Sequence, residues 1–222
     1  EGAPAVVGVA FLADGAHLAV LTDKSVVIWD VVRGLTRRSF AVEASYDNRL
    51  TASRDGRTLA VVFHSSVTLV DVERGILRDT AVTSGYLLGA AFSIDGDRIY
   101  AGSRDGTLLS WEVHTGRRLD RIELPDGRSD VLVAAAMPDG NSLLTVSMDG
   151  GPAVLRSSET GQPLKLIGRH VDAAGTVAFM PSSDRIIAGG GSTVSVWDVR
   201  TGAKLQHFDP GEDFVAEARL SR

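Results

Sequence analysis

A pair made of a large apolar residue followed by a charged one recurs along this chain at nearly constant spacing. Its five occurrences are separated by 41, 41, 44 and 42 residues, and a glycine follows each of them four or five residues later. An Asp-Gly pair precedes four of the five occurrences at a matching distance. Markers that keep register through five units predict an internal structural repeat. The five occurrences are Trp29-Asp30, Val70-Asp71, Trp111-Glu112, Leu155-Arg156 and Trp197-Asp198.

Each unit contains short apolar runs separated by groups of turn-forming residues. In the last complete unit the runs are Thr176–Phe179, Arg185–Ala188 and Thr193–Val199, which are rich in β-branched and aromatic residues. Gly, Ser, Asp and Pro supply the breaks, where the chain reverses within a few residues. A meander of about 40–45 residues matches one four-stranded blade of a propeller. A β-sandwich is the alternative, but its strands would not keep one period over five units.

We therefore predict an all-β chain, a β-propeller of four-stranded antiparallel blades within a single domain. Residues 211–222 have apolar side chains at alternate positions, so they predict the first, inner strand of a further blade. A lone inner strand would leave open backbone donors and acceptors. A self-contained five-bladed protein, the alternative, has to explain this extra strand. The predicted blades span residues 5–42, 43–83, 84–128, 129–170 and 171–210.

The segment SVWDVRTG in the fifth unit resembles the signature of the WD-repeat family. The resemblance covers the chain from Ala5 to about Leu220, and it implies that the blades are part of a seven-bladed ring. Together with the first residue, Glu1 rather than Met, it leads us to expect an excerpt of a longer protein. In many members of the family a His, a Ser or Thr, an Asp and a Trp form a hydrogen-bonded line across the blade.

No unit of this chain keeps all four members of that line. The third unit has the Ser, the Asp and the Trp but lacks the His, and the fifth has His170 and Trp197 without the Asp. A partly connected buried network contributes less than a complete one. Apolar packing is therefore expected to carry most of the stability, with the tryptophans as large local contributors. The predicted structural residues are Trp29, Trp111, Trp197, Ser103 and Ser147.

Composition argues against several classes of partner. The net charge of −5 and the pI near 5.5 disfavour nucleic acid and anionic membrane surfaces, which need a basic patch. The longest apolar run, Val131–Met137, has seven residues, too few to cross a bilayer. The absence of cysteine excludes disulfides and sulfur-based metal sites, and it fits a cytoplasmic protein.

Motifs for catalysis or cofactor binding are not recognisable, so we predict no cofactor, no metal and no catalytic residues. The five histidines lie at least 37 residues apart, and Gly189-Gly190-Gly191 lacks the Lys and the helix of a phosphate loop. Residues 126–130 contain two aspartates but lack the acid spacing of a calcium loop, and they are interpreted as a solvated loop. Acids that converge at a channel mouth keep a propeller enzyme of hydrolase or lactonase type as the alternative.

The resemblance implies a non-catalytic interaction scaffold or sensor. In relatives, partners contact a rim formed by the loops before the first strands and by the turns between the second and third strands. The expected partner is a protein, a peptide or another domain of the parent chain, with a role in signalling. The alternatives are that the two tyrosines only cover strand ends, that the charges belong to solvated turns, or that the chain is a structural spacer. The predicted partner-binding residues are Tyr46, Tyr86, His64, Arg104, Asp105, Met148, Asp149 and His170.

Overall fold

The structure is a computed structural model that describes most of the chain. The described residues are 4–42, 44, 48–80, 83, 85–137, 139–147, 151–167, 174–179, 185–190 and 193–209. Every regular element among them is a β-strand, and they include no helix that is long and apolar enough to cross a membrane. The strand predicted within residues 211–222 lies outside the described residues.

The first three sheets each contain four consecutive strands that pair in sequence order. Sheet 1 consists of β1 (Val6–Phe11), β2 (His17–Thr22), β3 (Ser25–Asp30) and β4 (Leu35–Ala41). Sheet 2 consists of β5 (Arg49–Ala52), β6 (Thr58–Val62), β7 (Val67–Asp71) and β8 (Ile76–Asp79). Sheet 3 consists of β9 (Leu87–Phe92), β10 (Arg98–Ser103), β11 (Thr107–Glu112) and β12 (Arg118–Glu123).

The last two sheets repeat this order. Sheet 4 consists of β13 (Val131–Ala136), β14 (Ser142–Ser147), β15 (Ala153–Ser157) and β16 (Pro163–Ile167). Sheet 5 consists of β17 (Ala174–Phe179), β18 (Arg185–Gly190), β19 (Thr193–Asp198) and β20 (Lys204–Phe208). The prediction of an all-β propeller with five four-stranded antiparallel blades is confirmed. The seven-bladed ring stays a prediction.

The Asp-Gly pairs form the turn between the first and second strands. In sheet 1 the carboxylate of Asp14 accepts hydrogen bonds from the backbone N–H groups of Ala16 (2.9 Å) and His17 (3.0 Å). Gly15 follows with a φ of 65°, a left-handed conformation that a residue without Cβ adopts at little cost. Because the aspartate side chain accepts hydrogen bonds from the backbone of its own turn, this pair suits the reversal from a first strand into a second, and it occurs there in four of the five units.

The acid of the recurring pair has an equivalent role in the turn between the third and fourth strands. Asp30 accepts a hydrogen bond from the backbone N–H of Arg33 (2.8 Å), Asp71 from that of Arg74 (2.8 Å), and Asp198 from that of Thr201 (2.6 Å). The glycine that follows closes each turn with a positive φ. The acid is therefore a local turn-forming group, which explains its regular spacing.

Contacts divide the chain into two compact units. The first contains sheets 1 and 2 together with residues 92–99 and 110–119 of sheet 3. Its core lies between sheets 1 and 2, where β1 contacts β5. The main buried side chains of this core are Leu12, Ala19, Leu21, Val26, Ile28, Phe40, Leu50, Leu59, Val61 and Val70.

The second unit contains residues 88–91 and 100–109 of sheet 3, together with sheets 4 and 5. One core cluster joins its part of sheet 3 to sheet 4, and it includes Tyr100, Leu108, Val131, Val133 and Leu143. A second cluster lies between sheets 4 and 5, and its members include Leu144, Val146, Ile167, Ile186 and Trp197. In both units the apolar faces of successive sheets cover each other, as blade packing requires.

One face of sheet 1 is only partly buried. Phe11 pairs with Leu18, and Leu18 pairs with Trp29, so the three side chains form a row on the face opposite the core residue Ile28. Phe11 is 64% exposed and Trp29 is 39% exposed. Trp29 therefore contributes less apolar burial than the other two tryptophans of the repeat.

Candidate protein-interaction surface

His64 and Tyr86 form a stacked pair at the end of sheet 2 where β6 turns into β7. Their ring centroids are 4.3 Å apart, with an angle of 28° between the ring planes. The backbone N–H of Leu87, the first residue of β9, donates a hydrogen bond of 2.7 Å to the carbonyl of His64. This backbone bond holds the residue that precedes β9 against the second turn of the preceding sheet. His64 is exposed and Tyr86 is half-buried, so the pair presents one accessible aromatic edge to solvent.

Arg104 and Asp130 form the equivalent pair one repeat later. The backbone N–H of Asp130, just before β13, donates to the carbonyl of Arg104, in the second turn of sheet 3, at 3.0 Å. The Arg104 Nε–H donates to Asp130 Oδ1 at 3.2 Å, and the side chains are 61% and 36% exposed. Asp130 has a φ of 51°, the single positive value recorded for a residue other than glycine within the described part. The two pairs occupy matching positions in successive repeats, with an aromatic stack in one and an ion pair in the other.

Asp105 lies beside Arg104 but serves mainly to form the turn. Its carboxylate accepts hydrogen bonds from the hydroxyl groups of Ser103 and Thr107, the second at 2.7 Å, and from the backbone N–H of Thr107 at 3.2 Å. Burial raises the pKa of Asp105, but the hydrogen bonds from Ser103 and Thr107 outweigh it and hold the pKa below the ordinary value of 3.8. Arg121 reaches its second oxygen at 3.4 Å. Most of the acceptor capacity of Asp105 is therefore occupied within the turn.

Four predicted partner-binding residues lie outside the described residues, and their predictions stay untested. They are Tyr46, Met148, Asp149 and His170. The structure thus brings together His64 with Tyr86, and it pairs Arg104 with Asp130, an acid that precedes a first strand. Sequence reasoning placed these side chains at the rim one by one. It did not predict that they would form pairs across consecutive sheets.

Comparison with known proteins identifies the repeat. The sequence profile of the WD domain, G-beta repeat family matches residues 78–112 and 161–198, and the two segments end at Trp111-Glu112 and Trp197-Asp198. A guanine nucleotide-binding protein subunit beta of Arabidopsis thaliana is 27% identical over 132 residues, 54% of this chain and 34% of that protein. The WD repeat-containing protein jip5 of Aspergillus clavatus is 28% identical over 145 residues, 58% of this chain and 35% of that protein.

The chain therefore contains WD repeats in the two segments that this profile matches, 78–112 and 161–198. It spans about a third of the length of these curated relatives. Among solved structures, a chain of the hydrazine synthase of Kuenenia stuttgartiensis superposes with a TM-score of 0.74 over 92% of this chain and 67% of that chain, at 16% identity. That likeness concerns the fold alone.

The hydrogen-bonded line of the WD repeat is incomplete in this protein, as its sequence predicts. Trp111 is 0% exposed and Trp197 is 7% exposed, yet neither indole Nε1 has a hydrogen-bond partner among the described residues. Ser103 and Ser147 are buried; Ser103 bonds to Asp105, and Ser147 donates to the carbonyl of Ser129 at 3.2 Å. The two tryptophans therefore contribute through apolar packing, reduced by the cost of an unsatisfied donor.

Arg156 stands in the fourth unit at the position of the acid of the recurring pair, and the sequence did not predict its environment. The side chain is 1% exposed and donates three hydrogen bonds, to Thr145 Oγ1 (3.0 Å), the carbonyl of Gly161 (3.2 Å) and Asp126 Oδ2 (2.6 Å). The loop around Asp126 is thus anchored to sheet 4 and is more than the solvated loop that its sequence suggested. The signal available in the sequence was a basic residue at a position where the other four units have an acid.

Within the described residues, no group of three His, Asp or Glu side chains is arranged to hold a metal ion. Several other aspartates resemble Asp105 in having a pKa below the ordinary value. Each has its pKa lowered by hydrogen bonds within its own turn or by a neighbouring arginine. A lowered pKa keeps a carboxylate ionised, whereas a general acid requires a raised one. The lowered pKa values therefore disfavour these groups as general acids.

Proposed function

We propose that this WD-repeat chain is a non-catalytic protein-interaction module. Its candidate binding residues are two separate pairs, His64–Tyr86 in the first compact unit and Arg104–Asp130 in the second, and its ligand is a peptide segment of another protein or of another domain of its own parent chain. The observation that carries the proposal is the repetition of one arrangement. In both places a second turn and the entry to the next first strand are joined by a backbone hydrogen bond, and the two side chains on top meet each other.

The chemistry of these residues suits recognition of a peptide. A tyrosine ring offers a large rigid contact area with one polar tip, and arginine offers five donors in a planar fork. Backbone hydrogen bonds from Leu87 to His64 and from Asp130 to Arg104 hold the loops that carry these side chains, so less conformational entropy is lost when a ligand binds. Relatives named as subunits of guanine nucleotide-binding proteins are, by that name, parts of assemblies, which supports a binding role. The hydrolase alternative is not favoured by these relatives.

The experiment compares partner capture by the full-length protein and by rim variants. Tyr86→Ala and Arg104→Ala are expected to weaken binding of the captured partner by about tenfold or more, the loss typical of central interface residues. The measurement is a pull-down whose bound proteins are identified by mass spectrometry, followed by titration of the purified partner.

Arg117→Ala is the matched control. Arg117 lies in the turn at the opposite end of β11 from Arg104, its side chain is 69% exposed, and it also faces an acid, Glu112, at 3.9 Å. The substitution Arg117→Ala removes the same charge from the same sheet as Arg104→Ala, but it changes neither of the proposed binding pairs. If Arg117→Ala and Arg104→Ala weakened the partner equally, or if neither rim variant had an effect, the proposed surface would be wrong.

A further inference from the structure

A cavity of about 470 Å³ opens between sheets 1 and 2. It lies near the start of β6, whereas His64 follows the other end of this strand. It is lined by the two Asp-Gly turns of these sheets and by residues of β3 and β4, all within the first compact unit. Leu12, Ile28 and Val72 supply an apolar wall. A volume of this size is in the range of small-molecule sites, which combine apolar walls with a few polar groups.

The aspartates of the cavity already have hydrogen-bond donors of their own. Asp14 accepts from two backbone N–H groups and from His17 Nδ1 at 2.5 Å. Asp55 accepts from Ser53 Oγ at 2.6 Å and from the backbone N–H of Arg57 at 3.0 Å. The pKa of Asp14 lies below 3.8 chiefly because of the hydrogen bond from His17. These acids are therefore committed to their turns.

The guanidinium groups of the cavity make no hydrogen bond to its carboxylates, although the charge of Arg57 helps to lower the pKa of Asp55. Arg37 Nη1 lies 3.0 Å from His17 Nε2. Because a guanidinium can only donate, the imidazole accepts this hydrogen bond at Nε2 and donates one from Nδ1–H to Asp14. No hydrogen bond or ion pair within 4 Å joins the side chains of Arg38 or Arg57 to a described residue. Glu73 is the third acid of the lining, and it is exposed. Three arginines thus share the lining with three acids, and the guanidinium groups of Arg38 and Arg57 keep their hydrogen-bond donors available within the described part of the chain.

We propose that this cavity binds a small molecule carrying a phosphate or carboxylate group next to an apolar portion. The oxyanion is held by Arg38 and Arg57, whose planar forks match two oxygens of such a group. Arg37 is positioned by His17 and supplies a third donor. The apolar portion packs on Leu12, Ile28 and Val72. This site is separate from the interaction surface, because His64 lies beyond one end of β6 and Arg57 immediately precedes the other.

The test is a titration of the full chain with four probes: inorganic phosphate, phenyl phosphate, benzoate and benzyl alcohol. Binding is measured by calorimetry and by the chemical shifts of the arginine Nε–H groups. Phenyl phosphate or benzoate is expected to bind more tightly than inorganic phosphate, and benzyl alcohol is expected not to bind. Comparison of phenyl phosphate with benzoate shows which oxyanion the site prefers.

The double variant Arg38→Gln, Arg57→Gln is expected to weaken binding by about tenfold or more, because charge-assisted hydrogen bonds are lost. The control is Arg33→Gln, Arg74→Gln, which removes the same charge from exposed arginines of the same two sheets that do not line the cavity. Both pairs are exposed, and thermal melts verify that the variants are folded. Absence of binding by the anionic probes overturns the proposal, as does equal weakening by the control pair.

Discussion

Arg156, which is 1% exposed, donates a hydrogen bond of 2.6 Å to Asp126, 30 residues earlier in the chain. The arginine is in the third strand of sheet 4, and the aspartate is in the loop that precedes this sheet. A buried cation of this kind is tolerated only with a partner anion, since removal of one partner leaves an uncompensated charge. The pair therefore links the position of the loop to the integrity of sheet 4.

We expect Arg156→Ala and Asp126→Ala each to lower the free energy of unfolding by about 3 kcal/mol or more, as broken buried ion pairs do. Arg128→Ala is the matched control. It removes the other arginine that contacts Asp126, at 3.3 Å, from a position where the side chain is 36% exposed. The control should cost about 0–1 kcal/mol, the range for exposed pairs. Urea unfolding measures all three, and equal losses would show that Arg156 has no special role.

The tryptophans offer a second comparison. Trp111→Ala removes a fully buried ring and should lower the melting temperature by about 6–20 °C, from a cost of about 3–5 kcal/mol in a chain of this size. Trp197→Ala should lower the melting temperature by a similar amount, because this ring is also buried. Trp29→Ala removes a ring that is 39% exposed, so its effect should be clearly smaller. Thermal melts of the three variants decide the matter, and a loss for Trp29 equal to that for Trp111 would contradict the burial argument.

Gly102 lies where β10 closely approaches β13. A Cβ at this position would lie 2.2 Å from the carbonyl oxygen of Val131, a backbone atom that cannot move aside alone. Gly102→Ala should therefore cost about 3 kcal/mol, at the upper end of overpacking. Gly96→Ala is the comparison, because Gly96 has a φ of 80° and open space around it. It should cost about 1–2 kcal/mol, the strain of a left-handed residue.

Acid should destabilise the protein through its turn aspartates. The pKa of Asp95 is lowered from 3.8 chiefly by the hydrogen bond from Ser93, and that of Asp14 chiefly by the one from His17. A carboxyl whose pKa is lower in the folded state binds protons more readily when unfolded. Its stabilising contribution is therefore complete above the unfolded pKa and is lost as the pH falls through the folded pKa.

The free energy of unfolding should decline as the pH falls below about 4, with a smaller slope in Asp95→Asn, which cannot titrate at that position. Asp120→Asn, a change at an exposed acid, serves as the control. Urea unfolding at pH values from about 5 to about 2.5 measures the slopes. Identical slopes in Asp95→Asn and the unmodified chain would exclude a contribution from Asp95.

The sequence predicts what depends on local chemistry. Asp-Gly pairs and the acids of the recurring pairs determine turns within a few residues, so the five blades could be predicted from spacing alone. The His64–Tyr86 stack joins residues on consecutive sheets, and its geometry depends on how one turn meets the next strand. The salt bridge of Arg156 and the exposure of Trp29 depend on which sheet covers which face. Such packing is not encoded in any local pattern.

Sheet 4 shows what happens when the turn acid after the third strand is lost. There Ser157 Oγ, one residue later, accepts from the backbone N–H groups of Glu159 (3.3 Å) and Thr160 (3.2 Å). This turn of sheet 4 therefore has an oxygen acceptor as well, although the residue is a serine and it lies one position later. A repeat can therefore form this bend without the acid of the Trp-Asp pair, because a hydroxyl oxygen one residue later closes the turn. A blade of this kind is recognised by the spacing of its strands and turns, and a search for the Trp-Asp pair alone would miss it.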